Sequence, residues 1–181
     1  MIPCYITGKG MHATDATWNF KTAVIKSLEE TGLGYDTRYR YYQQQLPELE
    51  AEKLARLICD PMENYDKGWP EYLDHKPAEM SEQEAATRFM LVRDKQFIDQ
   101  AQCAIACYDE AGFGSGINAM RFLNADKPVL GFYNLEKLSS GVNPSNLLQL
   151  ELDFPKLFTL YAYQDINDIT SKAINWLNLK F

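Results

Sequence analysis

Residues 103–133 read CAIACYDEAGFGSGINAMRFLNADKPVLGFY. Cys103 to Tyr108 is an unbroken run of small and apolar residues, the pattern of a strand covered on both faces in a parallel sheet. Asp109 to Gly116 makes a glycine-rich turn, Ile117 to Asn124 a helix, and Lys127-Pro128 leads into Val129 to Tyr133, a second buried strand. A strand, a helix and a strand with so short a connection form a right-handed crossover unit, which commits the chain to an α/β layer architecture.

Outward from this unit the alternation continues. On the N-terminal side, Ser81 and Glu84 have capping-box spacing, and a helix is expected to run to about Gln102 with Phe89, Val92, Phe97 and Ile98 inward. Before it, Asp60 to Met80 is rich in Pro, acids and aromatics, which reads as an insertion or lid at about 60–80. Ile2 to Thr7 is a strand ending in Gly8-Lys9-Gly10, Thr17 to Thr31 a helix stopped by Gly32, Tyr35 to Tyr42 a second strand, and Leu46 to Cys59 a second helix. On the C-terminal side come a short helix over Asn146 to Leu152, a strand Leu157 to Tyr161 and a closing helix Ile166 to Leu179. About five parallel strands with helices on both faces suit a single domain over residues 1–181. In such sheets ligands sit beyond the carboxyl ends of the strands, at the point where strand order reverses.

The 18 Lys plus Arg against 25 Asp plus Glu give a net charge of −7, the wrong sign for a surface that must neutralise phosphates, so duplex nucleic acid is not an expected partner. Gln44 to Glu84 holds eleven acidic and four basic residues and thus carries that whole net charge. No apolar run is long enough to span a membrane, and the N-terminus has no signal-peptide pattern, so a cytoplasmic protein is expected. The four cysteines form no CxxC pair and suit reduced thiols. With only His12 and His75, neither near a cysteine, no metal is expected, and no cofactor.

Three places can carry chemistry. Thr7-Gly8-Lys9-Gly10 offers backbone N–H groups and a Lys to a phosphate or ribose hydroxyl, without the spacing of a P-loop. The turn after the central strand joins Asp109 and Glu110 to Gly112, Gly114, Ser115 and Gly116 at a helix N-terminus, where glycines admit a ligand to the backbone and the helix end favours anions. Asp94 lies in the long helix about 12 Å below its end, at 1.5 Å per residue. A surface pair with Arg93 or Lys95 is the reading its neighbours favour. Trp69 can cap a purine as part of a lid or simply fasten its loop, and the Tyr35, Tyr39, Tyr41 and Tyr42 group reads as strand packing and subunit contact.

Tyr5-Ile6-Thr7-Gly8, Asp94 within RDKQFIDQAQCAIACYD, Asp109 at the end of that strand, GFGSGINAMRF, Lys127-Pro128-Val129 and Asn146-Leu147 follow one another in an order that resembles the nucleoside 2-deoxyribosyltransferase family and its nucleotide N-hydrolase relatives. The resemblance spans most of the chain and leaves residues 60–80 without a counterpart. It implies a flavodoxin-like three-layer sandwich, a homo-oligomer with sites shared between subunits, and transfer or hydrolysis at the C1′–N bond of a nucleoside or nucleotide. It further implies that Asp94 assists the base or holds the sugar, that Asn146 reaches the sugar from a neighbouring subunit, and that Tyr5 lines the pocket, with Asn118 and the glycine turn beside the substrate. A carboxylate suits this chemistry because the transition state is oxocarbenium-like.

Aligned on Ile117, Met120, Arg121 and Lys127-Pro128, the family's nucleophilic Glu falls on Gly116. Three expectations stay open. Glu110 or Asp109 supplies the carboxylate from another backbone position, hydrolysis proceeds by a different arrangement, or a catalytically silent nucleotide-binding or sensing module remains.

Overall fold

The computed structural model describes residues 1–9, 13–57, 65–138 and 143–181. The elements run β1 (Ile2–Thr7), α1 (Asp15–Thr31), β2 (Gly34–Asp36), α2 (Thr37–Gln45), α3 (Ala51–Leu57), α4 (Trp69–Asp74), α5 (Glu82–Gln100), β3 (Cys103–Cys107), α6 (Phe113–Leu123), β4 (Val129–Tyr133), α7 (Pro144–Asp153), β5 (Phe158–Ala162) and α8 (Ile166–Lys180). All five strands pair in parallel in the order β2-β1-β3-β4-β5, the flavodoxin-like order, so the chain reverses its direction of travel across the sheet between β1 and β3.

The register sorts the core. Tyr5 pairs with Ala104 and Thr7 with Ala106, and Ala106 pairs with Gly131, so these side chains share one face. α5 and α6 cover that face, where the Tyr5 and Phe122 rings lie 5.9 Å apart. α1 and α8 cover the other: Phe20 meets Phe132 at 5.7 Å, and the Trp176 indole donates to Thr159 Oγ1 at 3.2 Å. β3 is buried at every position, as its CAIAC sequence requires. Gly131 is fixed by packing, because a Cβ there would come within 2.7 Å of the Tyr108 ring.

Two element assignments differ from the sequence reading. The strand expected over Tyr35–Tyr42 is only β2, and the chain turns into α2 at Thr37. Asp36 causes the switch: its buried carboxylate accepts from the Tyr39 N–H and the Ile6 N–H, both at 2.8 Å, capping the helix and pinning it to β1. Tyr39 and Tyr42 then pack inward at helical spacing. The glycine turn is also shorter than expected, since α6 begins at Phe113 and takes Gly114, Ser115 and Gly116 into its first turn. The second helix is α3, starting at Ala51; Ile58 and Cys59, with residues 60–64 of the expected insertion, lie outside the described residues. The rest of that segment holds α4, whose Trp69 packs against Tyr72 and Phe89 and fastens it to α5. Buried Asp66 accepts from Tyr42 Oη at 3.1 Å and pairs with Arg93 at 2.9 Å, tying the segment to α2 and α5.

No helix among the described residues is long and apolar enough to cross a membrane. Cys4, Cys103 and Cys107 are buried free thiols.

Candidate functional site

Asp94 does not take the surface partners its neighbours offer. Arg93 turns to Asp66, Lys95 pairs with Asp99, and Asp94 accepts at Oδ1 from the Tyr5 hydroxyl at 3.0 Å. This corrects the surface-pair expectation. The cause is the helix phase: Phe97 and Ile98 enter the core, and Asp94, one turn earlier than Ile98, is carried to the sheet face over β1. Among the described residues Asp94 Oδ2 receives no hydrogen bond, so the carboxylate is anchored at one oxygen and open at the other.

Tyr5 is buried within β1, and its phenol is pushed far above its usual range by burial, with the Arg38 charge opposing and the Asp94 charge adding to the shift. It is therefore a neutral donor. Asn118 Nδ2, from α6, donates to the same hydroxyl at 3.5 Å, while Asn118 Oδ1 accepts from Arg121 at 3.3 Å. Arg38 lies over the Tyr5 ring at 4.4 Å, donates to the Ile6 carbonyl and stands 3.9 Å from Asp36 Oδ1. Four elements thus converge: β1 supplies Tyr5, α2 Arg38, α5 Asp94 and α6 Asn118. The sequence reading did not single out Arg38 or Arg121. The Asp36 cap signal before Arg38 was present, but it was masked by the tyrosine-rich run that reads as a strand.

The loop carboxylates go elsewhere. Asp109 is buried, with Oδ1 accepting from the Asn134 N–H at 2.8 Å and Oδ2 from the Tyr163 hydroxyl, so both oxygens are engaged in joining the β3 end to β4 and β5. Glu110 turns to the start of α1, where Oε2 accepts from Thr14 N at 3.1 Å, Thr14 Oγ1 at 2.9 Å and Thr17 Oγ1 at 2.6 Å, with Lys9 at 3.9 Å from Oε1. Partial burial pushes its carboxyl up, but the Thr17 and Thr14 hydrogen bonds and the Lys9 charge outweigh this and leave it below its usual range. Glu110 is an anion that caps α1.

Gly8 closes the switch point, since a Cβ there would stand 3.2 Å from the Cys107 carbonyl oxygen. Thr7 is buried on the Tyr5 face, and the Lys9 carbonyl accepts from buried Lys21 at 3.0 Å. Gly10 lies outside the described residues. Ser115 is buried, whereas Gly112, Gly114 and Gly116 are exposed, and a Cβ on any of the three would meet nothing within 4 Å. The α6 residue that reaches the Tyr5–Asp94 pair is Asn118, and Gly116 faces open space. Asn146 is exposed on α7, its N–H donating to the Asn143 carbonyl at 3.0 Å.

No protein-family model matches the sequence, and no curated protein matches it.

Proposed function

We propose that the chain binds a nucleoside or nucleotide over the Tyr5–Asp94–Asn118 cluster and acts at its N-glycosidic bond, by transfer or hydrolysis. The observation that carries the reading is the half-anchored carboxylate: Tyr5 holds Asp94 Oδ1 at 3.0 Å and leaves Oδ2 to face a sugar. A carboxylate fixed by a hydrogen bond at one oxygen keeps its direction, and an anion held against C1′ stabilises the oxocarbenium-like transition state. Asn118 offers an amide to a sugar hydroxyl. The open glycines at the start of α6 leave room for a ligand's anionic groups to meet backbone N–H groups at the positive end of that helix. On this reading the bond between C1′ and the base breaks, the base leaves with a proton, and water or a second base takes its place at C1′.

A second reading, a silent nucleotide-binding or sensing module, is favoured by one observation. Asn118 is an amide where covalent displacement needs a second carboxylate, and Asp109 and Glu110 are committed to other partners. Incubation with a panel of deoxynucleosides and nucleoside 5′-monophosphates, with chromatography for free base, separates the two. Base release that falls about 100-fold or more in Asp94→Asn supports catalysis, the size expected when an electrostatic stabiliser is removed. Nucleotide-dependent thermal stabilisation without base release supports the module, and neither signal sinks both readings.

The same reading includes a homo-oligomer with shared sites. Phe113, in the first turn of the candidate site's α6, is 87% exposed, an apolar ring for a lone chain to leave in water.

A further inference from the structure

Four side chains of the candidate site form one line of hydrogen bonds, and every bond in it points the same way. Arg121 Nη1 donates to Asn118 Oδ1 at 3.3 Å, Asn118 Nδ2 to Tyr5 Oη at 3.5 Å, and Tyr5 Oη to Asp94 Oδ1 at 3.0 Å. The ends fix the direction, because a guanidinium has no acceptor and a carboxylate no donor. The middle members can each run either way. An amide turned about exchanges its oxygen and nitrogen, and a phenol has a single proton to give. Which way they run is a choice, and Arg121 stands at the end that makes it.

Arg121 follows Asn118 by three residues, the spacing that makes two side chains neighbours on one face of a helix. It is exposed, has no carboxylate within 4 Å among the described residues, and its one side-chain hydrogen bond there is to Asn118. As a cation in the last turn of α6 it also suits the negative end of that helix. That role asks for a charge and not for a hold on Asn118. Without Arg121 nothing keeps Oδ1 turned away from Tyr5. Once the amide is reversed, Asn118 Oδ1 and Asp94 Oδ1 compete for one phenol proton, and Asp94 loses its anchor for whatever share Asn118 takes.

We propose that Arg121 is a positioning residue of the candidate site: by holding Asn118 Oδ1 it turns the amide N–H toward Tyr5, reserves the phenol proton for Asp94 Oδ1, and so keeps Asp94 Oδ2 aimed. Bonds that donate in series polarise one another, so the Arg121 charge strengthens each link down to Asp94. In this arrangement Asn118 has one N–H left to give a ligand, and Asp94 Oδ2 is an acceptor. A sugar hydroxyl, which both donates and accepts, satisfies the pair. The ligand's part in this rests on the nucleoside or nucleotide reading; the direction of the amide does not.

Three variants of the full chain test it. Arg121→Met removes the donor, Arg121→Lys restores one, and Arg121→Glu offers an acceptor that favours the reversed amide. In the isotope-labelled chain, nuclear Overhauser contacts between the Asn118 Nδ2 protons and the Tyr5 ring are expected in the parent and Arg121→Lys, and are expected to vanish in Arg121→Met and Arg121→Glu. Should Arg121→Glu unfold beside the Asp99 carboxylate, whose titration senses the Arg121 charge, Arg121→Met carries the same comparison. Contacts absent from the parent, or unchanged in Arg121→Met, overturn the proposal. Any nucleoside or nucleoside 5′-monophosphate that stabilises the parent is expected to bind Arg121→Met about tenfold more weakly and Arg121→Lys nearly as well as the parent, with the urea midpoints of both variants unchanged. A helix-end role alone moves the midpoint and spares the affinity, and equal affinity in the parent and Arg121→Met overturns the proposal. If no member of the panel stabilises the parent, the nucleotide reading falls and the Overhauser contacts alone decide the part played by Arg121.

Discussion

Asp94 and Glu110 are carboxylates in the same half of the sheet, and their partners give them different work. Asp94 has one oxygen held and one open, so Tyr5→Phe should leave the fold intact, costing about 1 kcal/mol for the lost hydrogen bond, while weakening nucleotide binding through a misdirected Asp94; urea unfolding and a nucleotide titration read the two effects separately. Glu110, held below its usual range, contributes stability that is fully present above its ordinary carboxyl value of 4.5 and drains away as the pH falls through its lower folded value. Glu110→Gln should therefore lower the melting temperature at pH 7 and lose that deficit on acidification, with equal melting of both chains near pH 2. A deficit that persists at low pH would assign Glu110 a role unrelated to its charge. The sequence shows a carboxylate beside glycines, but not which oxygen is spoken for. That depends on Thr14 and Thr17, about 95 residues away in the chain and brought close only by the strand order.

At the scale of elements, legibility followed burial on both faces. β3 and β4 were readable because CAIAC and VLGFY are unbroken apolar runs, and α5 because Ser81 accepts from Glu84 N at 3.1 Å, as its spacing announces. Tyr35 to Tyr42 was misread as a strand because aromatic density looks like β propensity, whereas the Asp36 cap decides the matter. Asp36→Ala strips an acceptor from two buried N–H groups and should destabilise the chain by on the order of 3 kcal/mol, seen as a lower urea midpoint. It should also release Arg38 from its place over Tyr5. Gly131→Ala drives a methyl group into the Tyr108 ring and should cost about 1–3 kcal/mol; an unchanged midpoint would contradict the close packing of β4 against that ring.

For the molecule as a whole, the reversal of strand order between β1 and β3 brings β1, the glycine loop and α6 together; the alternation of strands and helices foretold the parallel sheet and pointed to the loops after its strands, while Tyr5 was singled out only by the family resemblance. The convergence of Arg38 and Asn118 on Tyr5 was not foretold, because it depends on the crossing of α2 and α6 over a face no local pattern encodes. Should the shared-site assembly hold, sedimentation will give a mass that is a multiple of 20.8 kDa, and Phe113→Glu will return it to that value. The most direct test of the site is thermal melting of the parent chain and Asp94→Asn with a panel of deoxynucleosides and nucleoside 5′-monophosphates. A ligand at a hundredfold excess over its Kd stabilises the folded state by about 2.7 kcal/mol. The account predicts that at least one member raises the melting temperature of the parent chain and not that of Asp94→Asn; equal shifts in both chains, or none in either, would contradict it.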